Sequence, residues 1–473
     1  MDLAQLKAMA EENQVCAIDL KYCGLEGKWY HITFPVRRLE YVIENGVSFD
    51  GSSIPGMKAV ESGDMIVKPD LNTAMIEETD SGNIIVLLGT ICDAVTGKGV
   101  AKDPRSVAQR AQDFMVSSGI ADESLWIPEL EYYIFDEAVF KNHKYDVGYN
   151  FTSSQNKECL PLGNDDGMAM AHQDRKGYHM CTPHDLYFDV RQQAVNIMEE
   201  LGIKVRYHHH EVGLAGQQEV ETEPSIFPKI CDEVLIMKDI IKQCALDNGC
   251  TVTFMPKPIY NEPGNGMHYH ILLRKNGKNL FWEKGRYADL SHDALYFIGG
   301  ILKHGASLTA FTNPSTNSFK RLLPGFEAPV KLFFGLANRS AAIRIPNYVH
   351  TEASKRIEFR TGDATANPYL AMSAILMAGL DGIINKIHPI EQGYGPYDDN
   401  VFNWPKKMQD ELKSIPTNLR DALNALKKDH EYLLNGGVFS EELIQSWIDL
   451  KMKEVEAVEN RPHPYEMTLY YNL

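Results

Sequence analysis

Two acidic residues lie two positions apart in a run that otherwise has the composition of a buried strand. The run is WIPELEYYIFDE (126–137), and it carries Glu129 and Glu131 among aromatic and aliphatic residues. Because side chains alternate across a strand, both carboxylates face the same space. Two carboxylates about 4 Å apart repel by about 4 kcal/mol at an effective dielectric near 20, so a cation is expected between them. The alternative is an edge strand whose acidic face is hydrated.

A second pair of acids flanks a glycine-containing turn. The segment HHHEVGLAGQQEVE (208–221) holds Glu211 and Glu219 on either side of two glycines, and a turn there would return the acids toward each other. Three consecutive histidines cannot all face one ion on a strand. At most His208 and His210 share a face, and we expect packing or solvated roles for them.

Two further segments repeat the alternation of a strand. GNGMHYH places His268 and His270 on one face, and KRIEFR places Glu358 on the same face as Arg356 and Arg360. Taken alone, the second pattern is typical of a salt-bridged surface strand. If the four segments converge, five carboxylates and one imidazole line one cavity: Glu129, Glu131, Glu211, Glu219, Glu358 and His268.

Such a ligand set predicts divalent metal ions. It is almost entirely hard oxygen and contains no thiolate, which favours magnesium or manganese over zinc or copper. Two divalent ions would nearly balance the five carboxylates, so bound phosphate would require arginines, and Arg321, Arg339 and Arg344 are candidates. No GxxxxGK[ST] motif occurs, so a P-loop is excluded. Metals and arginines are the remaining way to bind a nucleoside triphosphate.

The size and charge of the chain limit the classes of function. Its 473 residues suggest two or three domains, and its formal net charge of −17 disfavours a nucleic-acid partner. No apolar run approaches about eighteen residues, and the N-terminus lacks the apolar core of a signal peptide, so we expect a cytoplasmic protein without a membrane partner. The eight cysteines contain no CxxC pair and indicate neither a zinc ribbon nor a disulfide framework.

The order of predicted elements indicates two domains. A helix at 2–13 and short β-rich runs from 16 to 91 predict a small α+β domain. A helix with Asp103 as its N-cap follows, so we place the boundary there, giving domains 1–102 and 103–473. Beyond it, the pattern predicts a mixed sheet or open barrel flanked by helices. Strands are expected at 126–136, 204–213, 250–256, 267–274, 340–345 and 356–361, and helices around 184–201, 225–247, 290–311 and 367–387.

The last part of the chain, 406–460, is helix-rich and charged and is followed by RPHPYEMTLYYNL. Exposing the closing aromatic and aliphatic side chains together would be costly, so we expect this tail to dock on a neighbour. The alternative is a disordered terminus. The side chains concerned are Tyr465, Leu469, Tyr470 and Tyr471.

Taken together, these segments resemble class I glutamine synthetase over nearly the whole chain. The matching segments are FDGSSI (49–54), PELEYYIFD, HHEVGLAGQQEVE, GMHYH, NPSTNSFKRLLPGFEAP (313–329), NRSAAIRIP, and RIEFR followed by ANPYLA. The resemblance implies an α+β fold, with a small N-terminal β-grasp domain and a large catalytic domain. The catalytic domain would hold a curved antiparallel sheet, a funnel-like open barrel flanked by helices. The implied assembly is a homododecamer of two stacked hexameric rings with active sites between subunits.

The resemblance also implies the reaction, which is ATP-dependent ligation of ammonia to L-glutamate through γ-glutamyl phosphate. ATP is then a co-substrate, and each active site holds two divalent ions, Mg²⁺ or Mn²⁺. The implied ligands of the first ion are Glu131, Glu211 and Glu219, and those of the second are Glu129, His268 and Glu358.

Arginines are implied for both substrates, because a planar guanidinium matches carboxylate and phosphate through two hydrogen bonds. The implied ATP-binding residues are His270, Arg339, Arg344 and Arg356. The implied glutamate-binding residues are Gly264, Arg321, Glu327, Arg339 and Arg360.

Asp50 is implied to reach the site from the small domain of a neighbouring subunit, where it would help bind ammonium and take its proton. Ser53, Tyr178 and Glu211 would complete the ammonium site. Glu327 is implied to close over the intermediate, shield it from water and accept a proton. The implied catalytic residues are therefore Asp50, Glu327 and Arg339.

The chain departs from the family pattern at ligand-binding edges. Pro263 stands where the family has asparagine, so a substrate-facing amide is lost or moved to Asn265. Leu272 replaces an adenine-side serine, and Ala353 replaces a nucleotide-side lysine. Phe402 lies in the loop where some relatives carry a tyrosine that becomes adenylylated. It has no hydroxyl, so we predict no adenylylation at that loop.

Two other functions stay open at this point. One is a γ-glutamyl ligase that uses a larger amine such as a polyamine, and the other is a catalytically silent relative with a structural or regulatory role. Asp50 with Ser53 argues for ammonium, because desolvating a small cation requires a close carboxylate. The complete set of six metal ligands argues against a silent relative. Small regulatory proteins are plausible partners by resemblance alone, and the residues do not decide between a hexamer and a dodecamer.

Overall fold

The computed structural model describes residues 1–58, 63–156, 175–325 and 328–473. Its N-terminal part is a sheet with two helices. Its first helix begins after Asp2, whose carboxylate accepts a hydrogen bond from the Gln5 backbone as an N-cap. The elements are α1 (Leu3–Glu12), β1 (Ala17–Cys23), β2 (Trp29–Pro35), α2 (Leu39–Asn45), β3 (Val47–Asp50), β4 (Asp64–Thr79) and β5 (Gly82–Asp93).

This sheet has the strand order β2-β1-β5-β4-β3, with β1 parallel to β5 and every other neighbouring pair antiparallel. Ile18, Leu20, Ile85 and Leu87 alternate along the paired strands β1 and β5 and are fully buried. The expected β-grasp domain is thereby confirmed.

A larger assembly of strands and helices follows from Pro104 onward. Asp103 caps its first helix through a hydrogen bond from the Ser106 backbone, as the sequence predicts. The elements are α3 (Pro104–Ser117), β6 (Glu123–Phe135), β7 (Glu137–His143), β8 (Asp146–Thr152), α4 (Phe188–Glu200), β9 (Val205–His210), β10 (Gln217–Thr222), β11 (Ser225–Ile226), α5 (Lys229–Asp247), β12 (Thr251–Thr253), β13 (Met267–Lys275), β14 (Lys278–Asn279), α6 (His292–Lys303), α7 (Gly305–Thr312), α8 (Ser318–Arg321), β15 (Phe334–Leu336), β16 (Ile343–Ile345), β17 (Ile357–Phe359), α9 (Pro368–Ile384), α10 (Lys406–Glu411), α11 (Leu419–Lys428), α12 (Glu431–Leu434), α13 (Glu441–Glu459) and α14 (Pro464–Tyr470).

The main sheet of this part has the order β15-β16-β17-β13-β6-β10-β9. Strands β11 and β12 also pair with β6, and β14 pairs with β13. All described pairs are antiparallel except β15 with β16. The two ends of this path, β15 and β9, do not pair with each other, so the described strands form an open sheet. Helix α9, apolar on all faces and almost entirely buried, packs among α3, α5 and α6 as a central core helix.

Three elements differ from the sequence-based expectation. The hairpin β7–β8 was not predicted, because the apolar residues of β7 follow no alternation. Both faces of this hairpin are largely exposed. Strand β10 was not predicted either, since QQEVET lacks an apolar alternation although all six residues are buried. The helix expected at 290–311 is divided at His304 into α6 and α7. The boundary between 102 and 103 stays a prediction, and no described helix has the length and apolar content needed to cross a bilayer.

The C-terminal tail forms a helix, α14, whose first turn is capped by His463. The described residues leave its aromatic side chains largely uncovered, since Tyr465 and Tyr470 are each 60% exposed and Tyr471, just after the helix, is 79% exposed. An ordered helix with exposed aromatic rings is what docking on a neighbour requires, and that docking stays a prediction.

His304 holds the junction of α6 and α7 to the helices around it. Its two ring nitrogens lie 2.9 Å from carboxylates of Asp381 in α9 and Asp429 after α11, and its ring stacks on Tyr432 of α12. Burial alone would lower the pKa of His304, but these two carboxylates outweigh burial and raise it above its ordinary value. Lys303 adds a longer contact to Asp381, at 3.4 Å.

We expect this cluster to make stability fall as the pH rises. A histidine whose pKa is raised on folding contributes its full stabilisation below the unfolded pKa of about 6.5, and loses it as the pH rises through the folded pKa. The melting temperature should fall by roughly one to a few degrees above pH 6.5. Thermal denaturation of the unaltered protein and of His304→Gln, measured from below to above pH 6.5, checks this expected fall in melting temperature. In the variant, the melting temperature should fall less steeply with pH. The same dependence of melting temperature on pH in both proteins would contradict the role of His304.

Candidate active site

A cavity of about 300 Å³ opens on one face of the main sheet. Of the residues predicted to form a site, it is lined by Glu129, Glu131, Tyr178, Glu211, Glu219, Gly264, His268, Arg321, Arg339, Arg344 and Arg360. His270 and Glu358 lie buried behind the lining residues and make contacts to them. Glu327 lies outside the described residues.

Strand register brings the acids together. Glu131 of β6 lies directly opposite Glu219 of β10, and Glu129 lies directly opposite His268 of β13. One strand further, His270 lies opposite Glu358 of β17. Directly opposite side chains in antiparallel strands have Cβ atoms about 5 Å apart. The alternation that placed each pair on one strand face therefore places them all on one face of the sheet.

Glu211 and Glu219 form an acid cluster with Glu131. Burial and the charges of Glu131 and Glu219 raise the pKa of Glu211 to about 9. Burial, with Glu129 and Glu131, likewise raises the pKa of Glu219 well above its ordinary value. His209 adds a nitrogen 3.6 Å from Glu219, and a ligand atom from each of His209, Glu211 and Glu219 fits within 4.8 Å of the others. The neighbouring carboxylates disfavour each other's negative charge, and a bound cation would relieve this repulsion.

A second group consists of Glu129, His268 and Glu358, whose ligand atoms also lie within 4.8 Å of one another. The Nδ1 atom of His268 lies 2.8 Å from Glu129, and Nε2 of His270 lies 2.8 Å from the other oxygen of the same carboxylate. Although burial alone would raise it, these imidazoles hold the pKa of Glu129 well below its ordinary value. Two carboxylates and one imidazole in a buried site fit a divalent ion.

Glu358 is fully buried between two arginines. Arg344 of β16 lies opposite it and pairs with one carboxylate oxygen, while Arg360 pairs with the other. Burial would raise the pKa of Glu358, but Arg360 and Arg344 hold it below its ordinary value. The nearby carboxylate of Glu129 opposes this effect. The strand KRIEFR is therefore internal, and the interpretation of this segment as a salt-bridged surface strand is wrong.

Arg321 is buried beside His268. Its guanidinium donates to the carbonyl oxygens of Thr361 and Gly362 and lies 3.2 Å from Nε2 of His268. Gly264 passes close to this side chain, since an added Cβ would lie 2.3 Å from the Pro256 carbonyl oxygen and 2.9 Å from Cγ of Arg321. No other residue fits position 264 without moving the arginine.

Arg344 and Arg356 carry buried nitrogen atoms without a hydrogen-bond partner among the described residues. These are Nε of Arg344 and both Nε and Nη2 of Arg356. Both guanidinium groups lie beside the ring of Tyr348, at 5.7 and 5.5 Å from its centroid. Arg356 does not line the cavity itself. Unpaired buried donors are costly, so this pair of cations fits an anionic ligand such as a phosphate group.

Asp50 and Ser53 lie in the small domain and do not line the cavity of their own chain. The Asp50 carboxylate accepts hydrogen bonds from the Ser52 backbone and hydroxyl and from the Ser53 hydroxyl, at 2.7 to 3.0 Å. These hydrogen bonds hold the pKa of Asp50 below its ordinary value, and the bond from the Ser52 hydroxyl has the largest effect. The carboxylate is thus ionised, ordered and exposed to a possible neighbour.

Sequence reasoning missed several residues of the cavity. His209 lines it, whereas His208 accepts a hydrogen bond from Arg191 and His210 is hydrogen-bonded to Gln155. The spacing of two between His209 and Glu211 is the signal that could have identified it. Tyr207 also lines the cavity and donates to the buried Glu221, which lies opposite Glu129. Glu219 and Glu221 repeat the spacing of two seen in Glu129 and Glu131.

Asn265 does not supply the missing substrate-facing amide. It is fully buried, its Nδ2 atom donates to the Met255 carbonyl, and its Oδ1 atom accepts from Gln217. Pro263 lines the cavity, and its carbonyl accepts from Tyr133. The amide of Asn265 is therefore already paired within the protein and does not line the cavity.

Comparison with known proteins agrees with this geometry. Residues 14–95 match the model of the glutamine synthetase beta-Grasp domain, and residues 101–470 match that of the glutamine synthetase catalytic domain. The chain is 43% identical to glutamine synthetase of Neisseria gonorrhoeae, with 100% of both chains covered. It is 42% identical to that of Azotobacter vinelandii, with 98% of this chain and 99% of the relative covered.

A solved structure shows the same fold. The Plasmodium falciparum glutamine synthetase superimposes with a TM-score of 0.90 at 31% identity, covering 100% of this chain and 99% of that chain. Two family models that together cover most of the chain, and relatives that match over its full length, establish its membership. The chain belongs to the class I glutamine synthetases.

Proposed function

We propose that this protein ligates ammonia to L-glutamate at the expense of ATP, with γ-glutamyl phosphate as the intermediate. The observation that carries the proposal is the meeting of Glu129, Glu131 and Glu219 with His268 on one sheet face, beside buried arginines with unpaired donors. Glutamate–ammonia ligation needs a site that holds two anionic substrates together, and acids alone would repel them. Membership of the family supports the same activity.

Divalent metal ions and ATP are expected for the family. Two groups whose ligand atoms lie within 4.8 Å of one another support two such ions: His209 with Glu211 and Glu219, and Glu129 with His268 and Glu358. Glu131 is not in the first group by this distance, and it is added because it lies directly opposite Glu219. Glu131, Glu211 and Glu219 would hold the first ion, and Glu129, His268 and Glu358 the second, with magnesium or manganese favoured by the oxygen-rich donors. When bound, the ions neutralise phosphate charge and orient the reacting groups.

The arginines of the chain bind and orient the substrates. Arg339 and Arg344 line the cavity and would contact the transferred phosphate and the nucleotide, with Arg356 adding its unpaired donors from behind. Arg321 and Arg360, both buried at the cavity wall, would bind the glutamate carboxylate next to Gly264. His270 is fully buried and contacts Glu129 through its Nε2 atom, and its predicted part in ATP binding stays a prediction. The role predicted for Glu327, to cover the intermediate and accept a proton, stays a prediction.

Ammonium would bind between subunits. Tyr178 and Glu211 line the cavity, and Asp50 with Ser53 would reach it from the small domain of the neighbouring copy. Asp50 would hold the ammonium ion and take its proton, leaving ammonia to displace phosphate from the intermediate. An exposed, ionised Asp50 supports this arrangement. We further propose two stacked hexameric rings, with α14 docking on a neighbouring subunit.

Phosphate release by the purified protein tests the proposed reaction. With ATP, magnesium and glutamate, we expect release that depends on ammonium, with glutamine as the product. Release with a polyamine but not with ammonium would select the larger-amine ligase. No release from correctly assembled protein with any amine would select the catalytically silent alternative. The same assay with manganese in place of magnesium determines the preferred ion.

Departures from the family pattern bear on specificity and regulation. Leu272 is buried within β13, and Ala353 lies in a turn before β17, so neither provides a polar group for a nucleotide. Phe402 packs with Phe333 and Val401 in a small apolar cluster. Absence of adenylylation at this loop stays a prediction, which mass spectrometry after coexpression with an adenylyltransferase checks.

A further inference from the structure

A second cavity, of about 420 Å³, lies between the β1–β2 hairpin of the small domain and helix α5 of the catalytic part. It shares no lining residue with the candidate active site. Four lysines and one acid line it, in a chain whose formal net charge is −17. The lysines are Lys21, Lys28, Lys238 and Lys242, and the acid is Asp239.

Most of these positive charges are not neutralised. Lys21 has a carboxylate partner, Glu77, at 3.6 Å. Within the described part of the chain, no carboxylate forms an ion pair with Lys28, Lys238 or Lys242. Lys238 is only 8% exposed and donates to the Ala364 carbonyl oxygen. Burial and the charge of Lys242 lower the pKa of Lys238 to about 8, and the charges of Asp363 and Asp239 only partly oppose this effect.

An unpaired donor lies in the same cavity wall. The Nε1 atom of Trp29 is buried and has no hydrogen-bond partner among the described residues. An indole can only donate, and a buried donor without an acceptor costs about 1–3 kcal/mol. The ammonium group of Lys238 has three hydrogens, of which one is used by Ala364. The cavity therefore offers several donors and few acceptors.

We propose that this cavity is a binding site for a compact polyanion, with charges on phosphate or carboxylate groups. Lys28, Lys238 and Lys242 pair with the charges of the ligand. Trp29 lies in the wall beside them. A volume of about 420 Å³ falls within the range of small-molecule sites.

The position of the cavity predicts what binding does to the protein. The β1–β2 turn is already held to the catalytic part, because Asn367 Nδ2 donates to the carbonyls of Gly24 and Leu25. Lys238 holds the segment just before Asn367 through Ala364. A polyanion shared by Lys28 of the hairpin and Lys238 of α5 adds a further link between the two parts. We expect it to raise the melting temperature.

Titration of the full-length protein with pyrophosphate, and separately with citrate, tests the proposal. The readouts are calorimetry and the fluorescence contributed by Trp29, obtained by difference from Trp29→Phe. We expect saturable binding that the double variant Lys28→Glu/Lys242→Glu weakens at least tenfold. The control is Lys427→Glu/Lys428→Glu, the same charge change on exposed positions of α11, which should bind as the unaltered protein does.

The outcomes separate the source of the anion from the existence of the site. A response to pyrophosphate alone shows that the site binds phosphate groups, and a response to citrate alone shows that it binds carboxylates. Either response supports the proposal if the double variant Lys28→Glu/Lys242→Glu weakens it. Binding at the active site leaves the Trp29 signal unchanged and survives this double variant. Equal affinity in both double variants, or no saturable Trp29 signal with either anion up to about 10 mM, overturns it. Lys28→Ala/Lys242→Ala replaces the charge reversal if the latter misfolds.

Discussion

Replacing Glu358 with glutamine is expected to lower kcat/KM for glutamine synthesis by on the order of 10³-fold, because a metal ion contributes several kcal/mol of charge stabilisation. In the proposed site, the substitution would remove a carboxylate ligand of the second ion and leave only Glu129 and His268 to hold it. It also leaves Arg344 and Arg360 buried without their shared partner. Breaking a buried ion pair costs about 3–5 kcal/mol, so the melting temperature falls as well.

A second variant and a control separate loss of metal from loss of structure. Glu129→Gln removes a ligand of the same ion without freeing a paired arginine, and it should lose activity with a smaller change in stability. Glu233→Gln is the control, because Glu233 is a buried glutamate on α5 that pairs with Lys229 away from the site. Calorimetric titration with Mn²⁺ should show two ions per chain in the control and a weakened second ion in both site variants. Two ions bound with unchanged affinity by Glu358→Gln would refute its role as a ligand.

Replacing Asp50 with alanine is expected to raise the ammonium KM by about 10²-fold or more while leaving the ATP KM nearly unchanged. In the proposed site, Asp50 would supply the close carboxylate that compensates the desolvation of a small cation. It contacts no predicted ATP-binding residue of its own chain. Steady-state kinetics with ammonium and ATP varied in turn measures both constants. Asp80→Ala, the same change at the exposed β4–β5 turn, is the control. An equal rise in both constants would contradict the assignment.

Mixed assemblies test whether Asp50 acts across the subunit boundary. Coexpression of Asp50→Ala chains with Glu358→Gln chains gives rings in which, at equal mixing, roughly one quarter of the sites combine two intact halves. We expect activity near that fraction, although each variant alone is nearly inactive. Mixtures no more active than their components would show that Asp50 serves its own chain.

Several features of this protein follow from local sequence rules. The alternation of side chains along a strand puts Glu129 with Glu131, and His268 with His270, on common faces whatever the fold. Asp103 followed by proline starts a helix because it satisfies free backbone donors at the first turn. The types of the clustered residues indicate hard divalent cations, and the order of the motifs indicates the family.

Strand pairing decided which acidic side chains meet, and no local sequence rule predicts this. Glu131 meets Glu219 because β6 and β10 pair in one register, and a shift of one residue would turn one of the two carboxylates to the other face of the sheet. The polar strand β10 depends on the same pairing. The contribution of His209 depends on the pairing of β9 with β10, which places His209 opposite Glu219. The charge pattern of KRIEFR fits a surface strand and a buried strand equally well. Only the burial of β17 in the sheet makes Glu358 an internal acid.

The sequence by itself determined the set of chemical groups, their local faces and the family, because these depend on residue type and on separations of a few positions. The tertiary structure decided which groups share a cavity, which donors stay unpaired and which lysines meet beside Trp29. These properties depend on contacts between residues far apart in the chain, such as Glu129 with His268. Long-range packing sets them, and no short stretch of chain contains the information.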